Sequence, residues 1–317
     1  MKLFFAALSF CVLFSSNAQM MDKEEHLKTM SIDTIDGWKF HGFTALNMSQ
    51  VGLTNWAAGG QSSIAINGMA SLTLDWKRDS ATWNNSLDLG YGVLRQGNQV
   101  LLTNSRFIKT DDKIDLFSKY GHKVSKHWYY AGLINFTTQS RPGYSYPNDS
   151  VQISKFLAPA YLLGAVGMDF KQNDVFTMFI APLTMKMTFV NDDSLAYHGA
   201  YGVDEAEFND VGVIISQGKK FRAEYGGYVR MMFKKTFMEN VSLTSKLSLF
   251  SNYANNPQNI DVAWENLLEL KVNKFISATV TTHLIYDDDI QITDSKGNVG
   301  PRTQFKEVIG VGFSYKF

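Results

Sequence analysis

From about residue 38 to its end, this 317-residue chain is built from runs of about 11 to 15 residues in which apolar and polar side chains alternate. Alternation with period two puts successive side chains on opposite faces of an extended strand. In one run Ile64, Ile66, Ala70, Leu72, Leu74 and Trp76 share a face, with Ser63, Asn67, Ser71, Thr73 and Asp75 opposite. In another, Phe221, Ala223, Tyr225, Val229, Met231 and Phe233 stand against Arg222, Glu224, Tyr228 and Arg230. A third sets Val241, Leu243, Leu247 and Leu249 against Ser242, Thr244, Lys246 and Ser248. Soluble strands average about 5–6 residues, whereas a tilted strand needs about 9–11 to cross a bilayer core.

The spacing predicts twelve strands, over 38–51, 62–76, 82–94, 112–123, 127–139, 156–170, 174–189, 219–234, 240–252, 261–272, 274–287 and 303–317. The connections alternate strictly between short turns such as Lys77–Ala81 and Val124–Lys126 and much longer segments such as 140–155 and 190–218. Short turns at one end, long loops at the other and an even strand count are the pattern of an outer-membrane barrel. The expected fold is all-β: a transmembrane antiparallel up-and-down β-barrel of about twelve strands over 37–317. Closing the sheet satisfies every ladder hydrogen bond inside lipid. Trp76 and Trp83 flank the first short turn and Trp128-Tyr129-Tyr130 follows the second, at the headgroup level that such side chains favour. The competing architecture, a soluble β-sandwich, does not need a mostly polar second face on nearly every strand.

Ahead of the strands, Met1-Lys2, an apolar run from Leu3 to Phe14 and Ser16-Asn17-Ala18 have the order of a cleaved export signal over 1–18. Lipid attachment at Cys11 is disfavoured because Phe10 stands where Gly or Ala belongs. The chain's one cysteine then leaves with the signal, and disulfides cannot staple the mature protein. Residues 19–36 are charged and lack strand periodicity; they read as a periplasmic segment that plugs the lumen, meets a partner or stays disordered.

Thirty basic residues balance thirty acidic ones, which removes the electrostatic case for nucleic acid. On lipid-facing positions charges cost about 2–4 kcal/mol near the midplane, so strand charges are expected inside. The candidate lumen lining is Lys220, Arg222, Glu224 and Arg230, then Lys246, then Glu265, Glu269 and Lys271, and Lys306 on the last strand. These residues suit either a charge-lined channel or a mutually paired network that fills a narrow barrel. A hydrolase would need Ser and His at one depth on adjacent strands; His283 has no such serine on the last strand, and no Gly-x-Ser-x-Gly elbow occurs. Asp111-Asp112, Asn191-Asp192-Asp193 and Asp287-Asp288-Asp289 follow no metal-loop pattern and read as solvated turns, and no motif points to a cofactor. The loop 190–218, with Tyr197, Tyr201, Phe208 and Val211 to Ile215, is too apolar for a solvated tether and suits a constriction or a partner contact.

Two resemblances sharpen this. Ile309, Val311, Phe313, Tyr315 and the terminal Phe317 share a face, and the pattern resembles the C-terminal signal read by barrel-assembly machinery. The blocks Trp76-Lys77-Arg78-Asp79…Trp83, Leu89-Gly90-Tyr91-Gly92, Thr103-Asn104-Ser105-Arg106, Thr110-Asp111-Asp112-Lys113 and Pro142-Gly143-Tyr144-Ser145-Tyr146-Pro147 resemble a family of uncharacterised outer-membrane proteins of Bacteroidota. That resemblance implies the fold and the location, with outer-membrane lipid as surroundings, and no activity. The functional expectations are a narrow pore for small polar or charged solutes or, alternatively, a non-conducting structural or accessory subunit of an outer-membrane complex, with an outer-membrane protein as partner.

Overall fold

The computed structural model describes residues 36–51, 61–97, 107–146, 149–172, 175–271, 273, 276–293, 298–313 and 315–316. Residues 1–18, read as an export signal, nearly all of segment 19–36, residues 103–106 and Phe317 lie outside the described residues. Twelve long strands follow one another: β1 (Gly37–Val51), β2 (Ser63–Arg78), β3 (Ala81–Gln96), β4 (Ile108–Lys123), β5 (Trp128–Thr138) and β6 (Ala160–Lys171). Then come β7 (Phe176–Phe189), β8 (Phe221–Met238), β9 (Val241–Asn252), β10 (Ile260–Lys271), β11 (Ile276–Tyr286) and β12 (Gln304–Phe313, resuming at Tyr315–Lys316). Each pairs antiparallel with the next, from Gly37↔Lys77 and Val51↔Ser63 at one end of the order to Ile276↔Phe313 and Ile285↔Gln304 at the other. The terminal residues then pair with β1 through Phe43↔Lys316 and Thr44↔Tyr315. The last strand thus touches β11 on one edge and β1 on the other, which closes the ring.

The surface is inverted relative to a water-soluble domain. Outward positions leave Phe40, Leu46, Tyr130 and Leu183 more than 60% exposed, while Asn67, Ser71, Asp88 and Asp169 inside are at most 2% exposed. A continuous apolar exterior of this kind is costly in water and favourable in hydrocarbon.

Ends of strands differ from expectation where local chemistry intervenes. β6 begins at Ala160 rather than 156 because Pro159 has no N–H to give the ladder. β4 begins four residues early, at Ile108, across a bulge at Gly92/Val93. The long loops carry structure that periodicity did not signal: small hairpins at Gly143–Tyr144 with Gln152–Ser154, Glu207–Phe208 with Ile214–Ser216, and Gln291–Thr293 with Val299–Pro301. A helix, α1 (Asp193–Tyr197), is capped by the Asp192 carboxylate, which accepts from the Leu195 amide at 2.9 Å.

Pro182, in the middle of β7, reorganises the wall. Both neighbouring ladders skip it, with bulges at Val166/Met168 on β6 and Gly226/Tyr228 on β8. A bulge lets a strand interior hold a proline. Gly167 makes this possible, since a Cβ there would meet the Ile180 carbonyl oxygen at 2.0 Å. Phe179 and Ala181 are buried inside before the shift, and Thr184 and Thr188 after it. The inner phase of β7 therefore changes from odd to even numbers, and Lys186 faces in.

Candidate functional site

The barrel interior is the candidate site, and its middle is apolar. β4 to β9 bring together Leu133, Ala165, Phe179, Ala181, Tyr228 and Phe250, with Phe117 and Leu163 packed against them. Phe179 and Tyr228 meet edge-on with centroids 6.4 Å apart. The Arg230 guanidinium lies 5.7 Å from the centroid of the Phe117 ring, although β8 and β4 are four strands apart round the ring. Lys119 approaches Phe179 in the same way, at 5.9 Å. A cation held over an aromatic face is favoured by the ring quadrupole, more so away from water. The expectation of a mostly polar second face fails here because β5 and β6 are apolar on both faces: Leu133 is buried inside while Ile134 is 59% exposed outside.

Toward the short turns, ion pairs occupy the interior. Lys119 Nζ is 3.1 Å from an Asp169 carboxylate oxygen, and Lys171 Nζ is 3.6 Å from the same one. Lys171 also sits 4.6 Å from the Tyr129 ring centroid. Asn84 donates to Asp75 at 2.6 Å, with His41 3.6 Å away on the other side. On the mouth side of Phe117, Asp115 receives Asn135 at 2.6 Å and Lys113 at 3.3 Å.

The long-loop mouth holds a second network, centred on a residue that period two alone did not place inside. Lys186 Nζ lies 2.9 Å from Asp261, 3.3 Å from Asp287 and 3.6 Å from Glu224. Arg222 joins Glu224 at 3.2 Å, donates to the Gly202 carbonyl at 2.8 Å and pairs with Asp289. Asp261, Asp287 and Asp288 stand close enough to share a cation, and the Lys186 ammonium already pairs with two of them. The Asp287–Asp289 turn is therefore part of the mouth network rather than a solvated loop.

Above the mouth, Ala158, Val190, Ala196 and Val203 form a buried cluster with Leu195 and Tyr201 alongside, joining the 139–159 and 190–220 loops. Tyr201 Oη donates to the Ile153 carbonyl, Lys155 pairs with Asp192 at 2.6 Å, and Asn191 donates to the Leu157 carbonyl at 2.8 Å. The Lys155 ammonium, followed by the Leu195 amide, holds the Asp192 carboxyl below its ordinary range. Burial pushes the Tyr201 phenol upward.

Of the candidate lining residues, Arg222, Glu224 and Arg230 enter these networks, and Lys246 lies 3.9 Å from Glu265 on the next strand. Lys220 precedes β8 and reaches Asp193 in α1 at 2.6 Å, so it belongs to the rim. Lys271 ends β10 at the short-turn rim and is exposed. Glu269 and Lys306 are described by ladder position alone, opposite Thr279 and His283, as are Phe313 and Tyr315 of the assembly signal. Ser80 Oγ stands 3.4 Å from His122 Nε2 on an exposed turn, beyond the roughly 2.6–3.2 Å of a nucleophile and its base.

Among solved structures, the chain is similar to the translocator domain of autotransporter NalP from Neisseria meningitidis, at 11% identity and TM-score 0.40, covering 94% of each chain. It is also similar to the COG4313 outer membrane channel from Pseudomonas putida F1, at 10% identity and TM-score 0.39, over 90% of this chain and 97% of that one. For the NanC porin the values are 9%, 0.38, 86% and 98%. No curated protein matches the chain. Residues 48–144 match a family described as "Protein of unknown function (DUF3078)".

Proposed function

We propose that the chain is an outer-membrane barrel closed across its own lumen, serving as a structural or accessory subunit of an envelope complex rather than as an open pore. The apolar exterior of the strands and the export signal read in residues 1–18 support the location. On this reading the short turns are periplasmic and the long loops external. A Bacteroidota source rests on the sequence resemblance alone. The observation that carries the closed state is Arg230 stacked on Phe117, 5.7 Å apart across four strands, inside the aromatic cluster. The hairpin at Glu207–Ser216 supports a partner-binding role, because Val211 at its tip is 82% exposed and Ile215 on its second strand 66%.

A specific observation favours the second reading, a narrow pore for small polar or charged solutes. The inner faces of β2, β3 and β10, and of β9 apart from Phe250, remain polar, with Ser71, Thr73, Asp88, Lys246 and Glu265 on that side. Single-channel recording of the folded protein in a planar bilayer separates the two. Closure predicts a silent wild type and discrete conductance steps in Arg230→Ala combined with Phe117→Ala. Wild-type steps whose ion selectivity changes in Arg222→Glu and Arg230→Glu would establish the pore and overturn the closed barrel.

A further inference from the structure

On the outside of the barrel, β1 to β5 leave a groove of about 430 Å³ walled by Phe40, Leu72, Leu116, Ile134 and Phe136. This lies within the roughly 300–1,000 Å³ of ordinary small-molecule sites. Its lining residues on β2 to β5 stand four to eight residues from the short turns, or about 10–20 Å along the membrane normal for tilted strands. Polar groups on its floor satisfy one another: Trp83 Nε1 donates to Ser118 Oγ at 2.9 Å, Ser118 Oγ to Asn85 Oδ1 at 2.8 Å, and Asn85 Nδ2 to the Leu74 carbonyl at 3.2 Å. An amide nitrogen carries two hydrogens, so Asn85 keeps a second N–H for an acceptor in the groove.

Below the groove, Trp38 packs against Trp76 and Trp83 with centroids 6.2 and 5.8 Å away. The two adjacent turns add the cations Arg78 and Lys126 against the single carboxylate of Asp79. From tip to groove the order is therefore cationic, aromatic, polar, apolar. An anionic phospholipid presents the complementary order, from phosphate through glycerol and ester carbonyl to hydrocarbon.

We propose that this groove is a binding site for one acyl chain of an anionic phospholipid in the periplasmic leaflet, with its headgroup on the two basic turns. The site rests on the outer-membrane placement and not on the closed lumen; a conducting barrel leaves it standing.

Native mass spectrometry of the folded mature protein in non-ionic detergent tests it, with dioleoylphosphatidylglycerol and dioleoylphosphatidylcholine as probes. These share their chains and differ in headgroup charge. The expected result is one retained phosphatidylglycerol, favoured over phosphatidylcholine by about five-fold or more, the ratio that one cationic contact supplies. Leu116→Trp, which fills the groove, should abolish retention of both lipids, and Arg78→Glu with Lys126→Glu should abolish the preference. Equal retention of the two lipids by the wild type, or retention unchanged in Leu116→Trp, overturns the proposal. Should Leu116→Trp fail to give a heat-modifiable band, the wild type decides alone. Phosphatidylglycerol brominated in its chains should quench tryptophan emission, less so in Trp83→Phe, and absence of that difference overturns the site.

Discussion

Lys186 and Asp261 meet at 2.9 Å although their strands, β7 and β10, are three apart in the ring. The same ammonium serves Asp287 and Glu224, so a single cation holds two strands and the β11–β12 loop together at the mouth. Removing one partner of a buried pair costs about 3–5 kcal/mol, and a mouth partly open to water lowers that to about 2–3. Lys186→Met should therefore lower the urea midpoint of the folded barrel, read by the heat-modifiable shift on a gel. Lys186→Arg, which keeps the charge, should stay near wild type.

The proline shift in β7 makes a steric prediction. Gly167→Ala places a methyl 2.0 Å from the Ile180 carbonyl oxygen, whereas Gly164 has nothing within 4 Å. Overpacking against backbone costs about 1–3 kcal/mol, so Gly167→Ala should be destabilised by that amount in urea and Gly164→Ala should not. Deleting Pro182 removes the inserted residue, so Ala181, Thr184 and Lys186 then alternate regularly on the inner face, and the heat-modifiable band should be kept.

Lipid offers no partner to an orphaned polar group, so the self-contained triad of Trp83, Ser118 and Asn85 should be sensitive. Ser118→Ala strands the indole N–H and should cost about 1–3 kcal/mol. The same arrangement recurs on β9 and β10, where Trp264 Nε1 donates to Ser245 Oγ at 3.0 Å and Ser245 to Asn266 at 2.7 Å. Ser245→Ala should show a similar loss in the same unfolding measurement.

The loop cap should loosen in acid. Lys155 and the Leu195 amide hold the Asp192 carboxyl below its ordinary value in the folded loop. A depressed carboxylate stabilises above its unfolded value, near pH 4, and that contribution fades as pH falls through the folded one. Amide exchange at Leu195, corrected for intrinsic rate, should show full protection from pH 7 to 5 and rising exchange below about pH 4. Asp192→Asn should be poorly protected throughout and nearly independent of pH.

Much of the wall was legible one strand at a time. Ser63 to Trp76 reads correctly because lipid and interior demand opposite polarity, so each position reports its face. Asn67, Ser71 and Thr73 are buried within, and Leu74 is 40% exposed without. The same logic misleads at β5, where Leu133 is as apolar as Ile134 and alternation carries no contrast. It misleads again at β7, because a strict period of two cannot accommodate the residue that Pro182 inserts.

Sequence by itself determined the number of strands, their order and which end bears the long loops, since hydrophobic alternation and turn length are local properties of the chain. Tertiary structure decided how the interior is filled, because that depends on side chains from strands far apart in sequence meeting across the ring. Arg230 and Phe117 are separated by 113 positions and Lys186 and Asp287 by 101, and no local pattern encodes either meeting. The curvature of a closed sheet brings them together, and burial then makes each cation settle on an aromatic face or a carboxylate.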